Sequence, residues 1–367
     1  MQTRGPIKWA VALAGGLFAT SAVAANVPMF RFALERWPPE NYQAVVFHRG
    51  PLESEEKEWV DTLQLASSGL GANVTVATVD VADPMEEPMQ SMWTSQTNAL
   101  SPWLVVRAPK SEPDSSPVWA GPLRADTPGA VLDSPARRKI VEGLLRGDSA
   151  VWVLLECGDA VRDEAAVDVL SEALKELEGQ LRLPPPGPED PSLQSALPLR
   201  VAFSLVRVTR NDPAEGFFVN QLVHGELLSE KKPAVFPVFG RGRALAPLVG
   251  RDLDPRSIQK VCALLAGACS REEKDSIPGK DLLLAGDWNS IFKKPAPVPS
   301  RPAPAFPTNP VASVPDQKPA LADGSRPAQV PAASGASSRA GPAAWALTGC
   351  LVLTIGWLAW RFRHKPR

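Results

Sequence analysis

The cysteines are the side chains of this sequence best suited to chemistry, and their spacing limits what that chemistry is. A thiol–disulfide site of the usual kind needs two cysteines about two residues apart at a helix N-terminus, where the helix dipole favours the thiolate. The chain has 4 cysteines and no such pair. Cys157, in LLECGDA, follows an apolar strand and precedes a helix. It is therefore the candidate for a reactive thiol, with a structural cysteine as the alternative.

Two further cysteines, Cys262 and Cys269, lie in VCALLAGACS. On an unbroken helix this spacing corresponds to a rise of ~10.5 Å, whereas a disulfide needs Cα atoms within ~7 Å. If Gly267 ends the helix and the chain folds back, a Cys262–Cys269 disulfide can form, and otherwise the two thiols stay separate. No Cys/His spacing typical of zinc or haem occurs, so we expect no metal and no cofactor.

The other candidate residues give weaker indications of a functional site than the cysteines do. His48 ends a predicted strand and indicates either a ligand site or a solvated strand end, while His224 has no motif around it. No phosphate-binding loop, serine-nucleophile motif or HExxH sequence is present. Four arginines near the GRGR segment indicate either an anion site or, as the favoured interpretation, a solvated rim: Arg241, Arg243, Arg251 and Arg256.

These residues lie on a pattern that occurs twice between residues 27 and 290. In each copy we expect a strand, a helix, a second strand ending at an Asp-Pro step, a short helix, a proline-headed strand, another strand and a helix that begins at proline. The copies open with the strands Ala44–Phe47 and Ala150–Leu155. Their spacing changes only where a loop differs, at the insertion 183–198 and at residues 108–117. The corresponding pairs are Ala44 and Val151, Pro84 and Pro213, Pro102 and Pro233, and Pro135 and Pro255.

This order resembles the thioredoxin fold, most clearly in the second copy, where Pro233, an apolar strand, the turn at 240–242, a further strand and Gly250 lead into the last helix. The chain also resembles exported, membrane-anchored bacterial proteins of an uncharacterised family with two thioredoxin-like domains and no CxxC motif. The resemblance implies an α/β fold with mixed central sheets flanked by helices. It places the two domains at 27–148 and 149–290, and it implies cis peptide bonds before Pro102 and Pro233.

Both ends of the chain carry membrane-targeting signals. Residues 1–25 combine Arg4 and Lys8, an apolar run and the AVA cleavage site of a signal peptide, with an uncleaved signal anchor as the alternative. Near the other end, 343–360 is an uncharged apolar run long enough for a transmembrane helix, and the basic residues 361–367 follow it. The Pro/Ala/Ser-rich residues 293–342 are expected to form a tether.

These signals predict a single-pass type I protein of the bacterial cytoplasmic membrane, with its body in the periplasm or extracytoplasmic space. The net charge of -1 gives no reason to expect nucleic acid as a partner. We expect two non-catalytic domains that act as a binding, scaffold or accessory subunit with a protein partner at the membrane. The alternatives are a single-thiol redox protein that uses Cys157 and a structural envelope protein.

Overall fold

The computed structural model describes residues 25–112, 116–185, 193–225, 231–269, 274 and 277–293, all within one compact unit. Apart from Ala25 and Lys293, the predicted signal peptide, tether, transmembrane helix and basic tail lie outside these residues, as do parts of the insertion 183–198. In the part of the chain that is described, no helix is both long enough and apolar enough to span a bilayer.

The chain forms an α/β structure with two mixed sheets flanked by helices, as predicted. The N-terminal elements are strand β1 (Ala25–Pro28) and helix α1 (Met29–Arg36). The first copy follows them and runs from residue 42 to residue 132. Its elements are β2 (Tyr42–His48), α2 (Ser54–Ser68), β3 (Val74–Asp80), α3 (Met89–Thr94), β4 (Trp103–Arg107), β5 (Pro117–Pro122) and α4 (Thr127–Leu132).

The second copy runs from residue 135 to residue 266. Its elements are α5 (Pro135–Arg146), β6 (Ala150–Glu156), α6 (Ala160–Gln180), β7 (Phe203–Thr209), α7 (Gly216–Val223), β8 (Ala234–Phe239), β9 (Arg243–Leu245), β10 (Leu248–Val249) and α8 (Pro255–Ala266). Strands β11 (Ala268–Cys269) and β12 (Gly279–Asp281) come next. Short 3₁₀ turns occupy Pro213–Glu215, Gly250–Asp252 and Trp288–Phe292.

The two sheets share one pairing scheme. The first has the order β3-β2-β4-β5, and the second has β7-β6-β8-β9 with β12 added beyond β9. In each copy the central strand, β2 or β6, is parallel to the next strand of the chain and antiparallel to the one after it. The six residues Ala150–Leu155 are completely buried, because β6 has packed helices on both faces of its sheet.

Helix α5 does not belong to the first copy, where the prediction of a domain at 27–148 placed it. Its apolar stripe, Ala136, Ile140 and Leu144, lies in the same core cluster as Val151 and Val153 of β6. A Cβ added at Gly143 would lie 2.8 Å from Val151 Cγ2, so glycine permits this close approach of helix and strand. In the first copy the shorter helix α4 packs beside α2 instead.

The N-terminal helix α1 also packs with the second copy, although the sequence pattern assigned it to the first. Its buried apolar residues lie in the core cluster that contains Trp152 of β6 and the apolar stripes of α6 and α8. The fully buried Arg31 donates to Ser195 Oγ at 2.6 Å and to the Pro198 carbonyl at 2.6 Å. Glu35 accepts from the backbone N–H of Ser195 at 3.1 Å. These polar contacts hold the end of the proline-rich insertion against α1.

The prediction of cis-prolines is correct for Pro102 and wrong for Pro233. Among the described residues the cis peptide bonds are Ser101–Pro102 and Glu87–Pro88. A trans X–Pro bond is favoured by about 0.5–1 kcal/mol. The loops that precede Pro102 and Pro233 make different contacts. The Ser101 hydroxyl accepts from the backbone N–H of Arg49 at 3.0 Å, whereas the Lys231 carbonyl accepts from Arg162 at 2.8 Å.

Candidate functional site

Each copy has a crevice where its two parallel strands end side by side. The helices that follow these strands pack on opposite faces of the sheet, α2 and α3 in the first copy and α6 and α7 in the second. In open α/β sheets, ligands bind outside the carboxyl ends of the strands at this kind of switch point. We call residues 48–52 with 80–82 the first crevice, and residues 156–162 with 209–211 the second crevice.

The first crevice is closed by its own side chains. The Asp80 carboxylate accepts from the backbone N–H of Gly50, at 3.2 and 3.0 Å, and from that of Ala82 at 2.9 Å. The hydrogen bonds from Ala82 and Gly50 hold the pKa of Asp80 below its usual value. His48 Nδ1 lies 2.8 Å from the Gly50 carbonyl oxygen, so the histidine is engaged within its own turn. Asp80 and His48 are therefore both engaged with the backbone of the first crevice.

In the second crevice two carboxylates accept hydrogen bonds from the backbone N–H groups at and just before the start of α6. Asp163, of which 3% is exposed, accepts from the backbone N–H groups of Cys157 at 2.9 Å and Gly158 at 3.0 Å. Asp159 accepts from those of Val161 at 3.1 Å and Arg162 at 3.2 Å. The N–H groups that stabilise a thiolate in redox proteins are thus already bound to acidic side chains.

A cavity of about 650 Å³ opens beside this helix start. Its lining includes three cationic side chains, Arg162, Arg210 and Lys231, and one carboxylate, Asp159. Thr209 and the amides of two asparagines complete the polar part of the wall. They are Asn211 and Asn220.

The arginines of the cavity differ in how they are held. Arg162 donates through Nε to Asp159 at 3.2 Å and through Nη1 to the Lys231 carbonyl at 2.8 Å. Arg210 has its Nε and Nη2 buried without a hydrogen-bond partner. Buried guanidinium nitrogens without a hydrogen-bond partner are costly, and Arg210 itself is half-buried in the wall of the cavity.

The two crevices differ most at the end of the second parallel strand. Asp80 pairs with His48 across the first sheet, and Thr209 pairs with Glu156 at the corresponding place in the second. The following residue is valine in DVAD and Arg210 in TRND, and both segments continue into proline. The carboxylate that closes the first crevice is therefore replaced by a hydroxyl and a guanidinium in the second.

Cys157 lines the cavity of the second crevice and is half-buried. Cys262 and Cys269 are not joined in a disulfide. Helix α8 continues to Ala266, and the chain leaves it extended at Gly267, so the chain does not fold back as the disulfide requires. Burial raises the pKa of the Cys262 thiol to about 12.

The interpretation of the GRGR arginines as a solvated rim is wrong for two of the four. Arg241 donates to the Leu34 carbonyl at 2.8 Å and so closes the C-terminus of α1. Arg243 is buried and bonds Asp281 at 3.1 Å, which ties β9 to β12. Both side chains are structural, while Arg251 and Arg256 are exposed.

His224 lies at the junction of the two copies, beside a second cavity of about 480 Å³. Its Nδ1 is 3.4 Å from the carboxylate of Glu112, whose pKa is raised by burial. Lys280 of β12 closes the C-terminus of α7 by donating to the carbonyls of Leu222 at 2.9 Å and His224 at 2.8 Å. These contacts join the copies into one unit.

The cationic residues of the second crevice were not predicted from the sequence. Arg162 lies in the first turn of α6, whereas Arg210 and Lys231 lie in two separate loops, and no spacing in the sequence connects the three. The available signal was the alignment of DVAD with TRND, since it places an arginine next to the end of a parallel strand. Among the described residues, no group of three or more His, Cys, Asp or Glu side chains is placed to hold a metal ion.

No protein-family model matches this sequence, and no curated protein matches it. Among solved structures, the chain is similar to one titled "Crystal structure of ERdj5 form II", with 11% identity and a TM-score of 0.20. The match covers 63% of this chain and 28% of that chain. At this TM-score the likeness is weak and carries no argument about function.

Proposed function

We propose that this chain is an exported, membrane-anchored protein with two thioredoxin-like domains that lack thiol–disulfide chemistry. It acts as a binding, scaffold or accessory subunit on the outer side of the bacterial cytoplasmic membrane. Its protein partner belongs to that membrane or stands close to it.

The strand order and the helix placement support the thioredoxin-like assignment. Each copy has a parallel β-α-β start followed by two antiparallel strands, in the spatial order second, first, third, fourth. In the second copy, α6 and α8 pack on one face of the sheet and α7 on the other. The cis bond before Pro102 lies at the head of β4, where the resemblance expects it.

The observation that carries the non-redox role is the occupation of the helix-start amides by carboxylates. Asp163 and Asp159 bind four backbone N–H groups around Cys157, and Asp80 binds Gly50 in the first copy. A thiolate at Cys157 would compete with two carboxylates for these donors instead of being stabilised by them. Binding, in place of electron exchange, is the function that such openings favour.

The anchoring part of the proposal is supported by the sequence. Arg4 and Lys8 precede an apolar run and a small-residue cleavage site, and the apolar segment 343–360 is followed by basic residues. Between body and membrane, the tether 293–342 gives the folded unit a long reach. Such a reach suits a partner that stands away from the bilayer.

Reduction of insulin disulfides by dithiothreitol tests the non-redox role. We expect the purified full-length protein in detergent to leave the rate of the uncatalysed reaction unchanged, and Cys157→Ser to behave identically. A clear acceleration that Cys157→Ser abolishes would overturn the proposal in favour of a single-thiol redox protein.

Affinity capture from detergent-solubilised membranes tests the accessory role. We expect a membrane-complex protein to be captured in stoichiometric amount with the full-length chain. Recovery of the chain alone would contradict an accessory role and favour the structural envelope alternative.

A further inference from the structure

The second crevice has the charge and the volume of a ligand site. Its cavity of about 650 Å³ lies within the range of small-molecule sites, about 300–1,000 Å³. The described lining holds three cationic side chains against one carboxylate. These cations stand at the carboxyl ends of β6 and β7, at the switch point where ligands bind in open α/β sheets.

Of the three cations, Arg162 is already paired with Asp159 at 3.2 Å, and Arg210 is the one whose Nε and Nη2 lack a hydrogen-bond partner. Asp159 serves the N–H groups of Val161 and Arg162, and Glu156 accepts from Arg207 at 2.6 Å and from Thr209 at 2.8 Å. Neither carboxylate has a hydrogen bond to Arg210, whose Nε and Nη2 have no acceptor. An arginine and a second cation facing one cavity form the recognition pattern for an oxyanion.

We propose that the second crevice binds a small, multiply charged oxyanion, a molecule that carries phosphate or carboxylate groups. Arg210 supplies the central charge, Arg162 and Lys231 supply the flanking charges, and Asn211 and Asn220 donate amide hydrogen bonds at the rim. The ligand's oxygen atoms satisfy the guanidinium that the protein leaves without an acceptor. Cys157, at the edge of the cavity, contributes packing to the wall and no covalent step.

The first crevice serves as the internal comparison for this site. There Asp80, at the position equivalent to Thr209, already binds the Gly50 and Ala82 N–H groups. The residue after it is Val81, where the second copy has Arg210. An oxyanion would meet Asp80 beside Arg49 in the first crevice, and three cations against the single carboxylate Asp159 in the second, so we expect it to bind in the second crevice.

This inference deepens the proposed binding role and rests on it, since a redox protein would need the crevice for a disulfide substrate. Each of the two proposals can be refuted without refuting the other. Insulin reduction decides whether the thiol acts, and a ligand titration decides whether the crevice binds an anion. A negative titration therefore leaves the non-redox role standing.

Isothermal titration of the full-length protein in an uncharged detergent, with pyrophosphate and with citrate as probes, tests the site. We expect at least one probe to bind with a 1:1 stoichiometry and a Kd below about 1 mM. The pyrophosphate arm reports phosphate recognition and the citrate arm reports carboxylate recognition. Sodium chloride at matched ionic strength controls for bulk screening.

Three substitutions test whether the probe binds in the second crevice. Arg210→Gln should weaken it by about ten- to a hundredfold, as expected for a lost charge-assisted contact. Asn211→Asp adds a negative charge at an exposed rim position, so it should fold normally and also weaken binding. Arg251→Gln removes an exposed arginine of the same copy outside the cavity and should change nothing.

The proposal is overturned if neither probe binds the wild-type protein. It is equally overturned if both crevice variants bind as the wild type does, or if Arg251→Gln weakens binding as much as Asn211→Asp does.

Discussion

The two crevices are built on one strand pairing and differ in what fills them. In the first, Asp80 at the end of β3 reaches across to the turn after β2 and closes the opening. In the second, Asp163 ties down the equivalent turn from within α6, and the end of β7 is left with Thr209 and Arg210 beside an open cavity. Both turns therefore have a carboxylate acceptor for their N–H groups, but it comes from β3 in the first copy and from α6 in the second. The position of this acceptor determines which crevice stays open.

The comparison separates the role of the backbone from that of the side chains. Both copies need an acceptor for the N–H groups of a turn that follows a buried central strand, because unpaired amides there are costly. Where a helix residue such as Asp163 supplies that acceptor, the end of the adjacent strand does not need a carboxylate. A cationic residue can then occupy that position.

Thiol labelling gives the largest expected effect, since it reports whether the second crevice is open. Cys157 lines the cavity, whereas Cys262 is buried and its pKa is raised to about 12. The raised pKa keeps the Cys262 thiol un-ionised at pH 8, and its burial shields it from the alkylating agent. We expect iodoacetamide to label Cys157 at least about a thousandfold faster in the native protein, as read by peptide mass spectrometry.

In denaturant both cysteines should react at similar rates, which is the control. Equal labelling of the two in the native protein would contradict the placement of Cys157 at the open crevice.

Asp163→Ala gives the next largest effect and tests whether this carboxylate stabilises the turn of the second crevice. Its loss leaves the N–H groups of Cys157 and Gly158 without this acceptor in a part-buried turn. We expect the free energy of unfolding to fall by about 2–3 kcal/mol in urea denaturation. Asp168→Ala, at an exposed position of the same helix, should change it by less than about 0.5 kcal/mol. Similar values for the two variants would refute this role.

Exchanging the strand ends tests whether Thr209 and Arg210 keep the second crevice open to anions. The double variant Thr209→Asp with Arg210→Val copies the Asp80-Val81 pair into the second copy. We expect pyrophosphate binding to weaken by about tenfold or more, and the unfolding free energy to fall by about 1–2 kcal/mol because the new carboxylate faces Glu156 in place of the Thr209 hydroxyl that donates to it. Unchanged binding in calorimetry would show that these two positions do not decide the difference.

Asp80→Asn gives the smallest effect, because Asp80 is only half-buried and its interactions are screened by solvent. Its lowered pKa means that the carboxylate stabilises the folded state above the ordinary carboxyl pKa of about 4, and that this contribution is lost as pH falls through the lowered pKa. The wild-type advantage in urea denaturation should therefore be full near neutral pH and shrink in acid. Asp83→Asn, an exposed neighbour, is the control. An advantage independent of pH would argue against the Asp80 bonds.

Much of the fold could be predicted because local signals agree with the tertiary structure. The strands around Ala44 and Ala150 have apolar β-forming sequences, and both helices predicted to begin at Pro135 and Pro255 begin there. The packing partner of a helix is not encoded locally. The stripe Ala136, Ile140 and Leu144 is equally suited to either sheet, and the close approach at Gly143 selects the second.

The candidate site was harder to predict, because single charges in loops have no periodicity. Arg241 and Arg243 stood next to each other in a conspicuous motif and proved structural, whereas Arg210 stood alone and lines the cavity. Their roles depend on which carbonyls and carboxylates surround them in space. Pro233 shows the same limit, since its place in the pattern matched Pro102 while its loop contacts did not.

Hydrogen–deuterium exchange of the full-length protein, with and without saturating pyrophosphate, tests the central claim most directly. The claim is that two crevices of common construction have diverged into one closed and one open to an anionic ligand. We predict slower exchange in peptides covering 156–162 and 209–220, and no change in those covering 47–52 and 80–83. Slower exchange in the first crevice, in both crevices alike, or in neither would contradict the account.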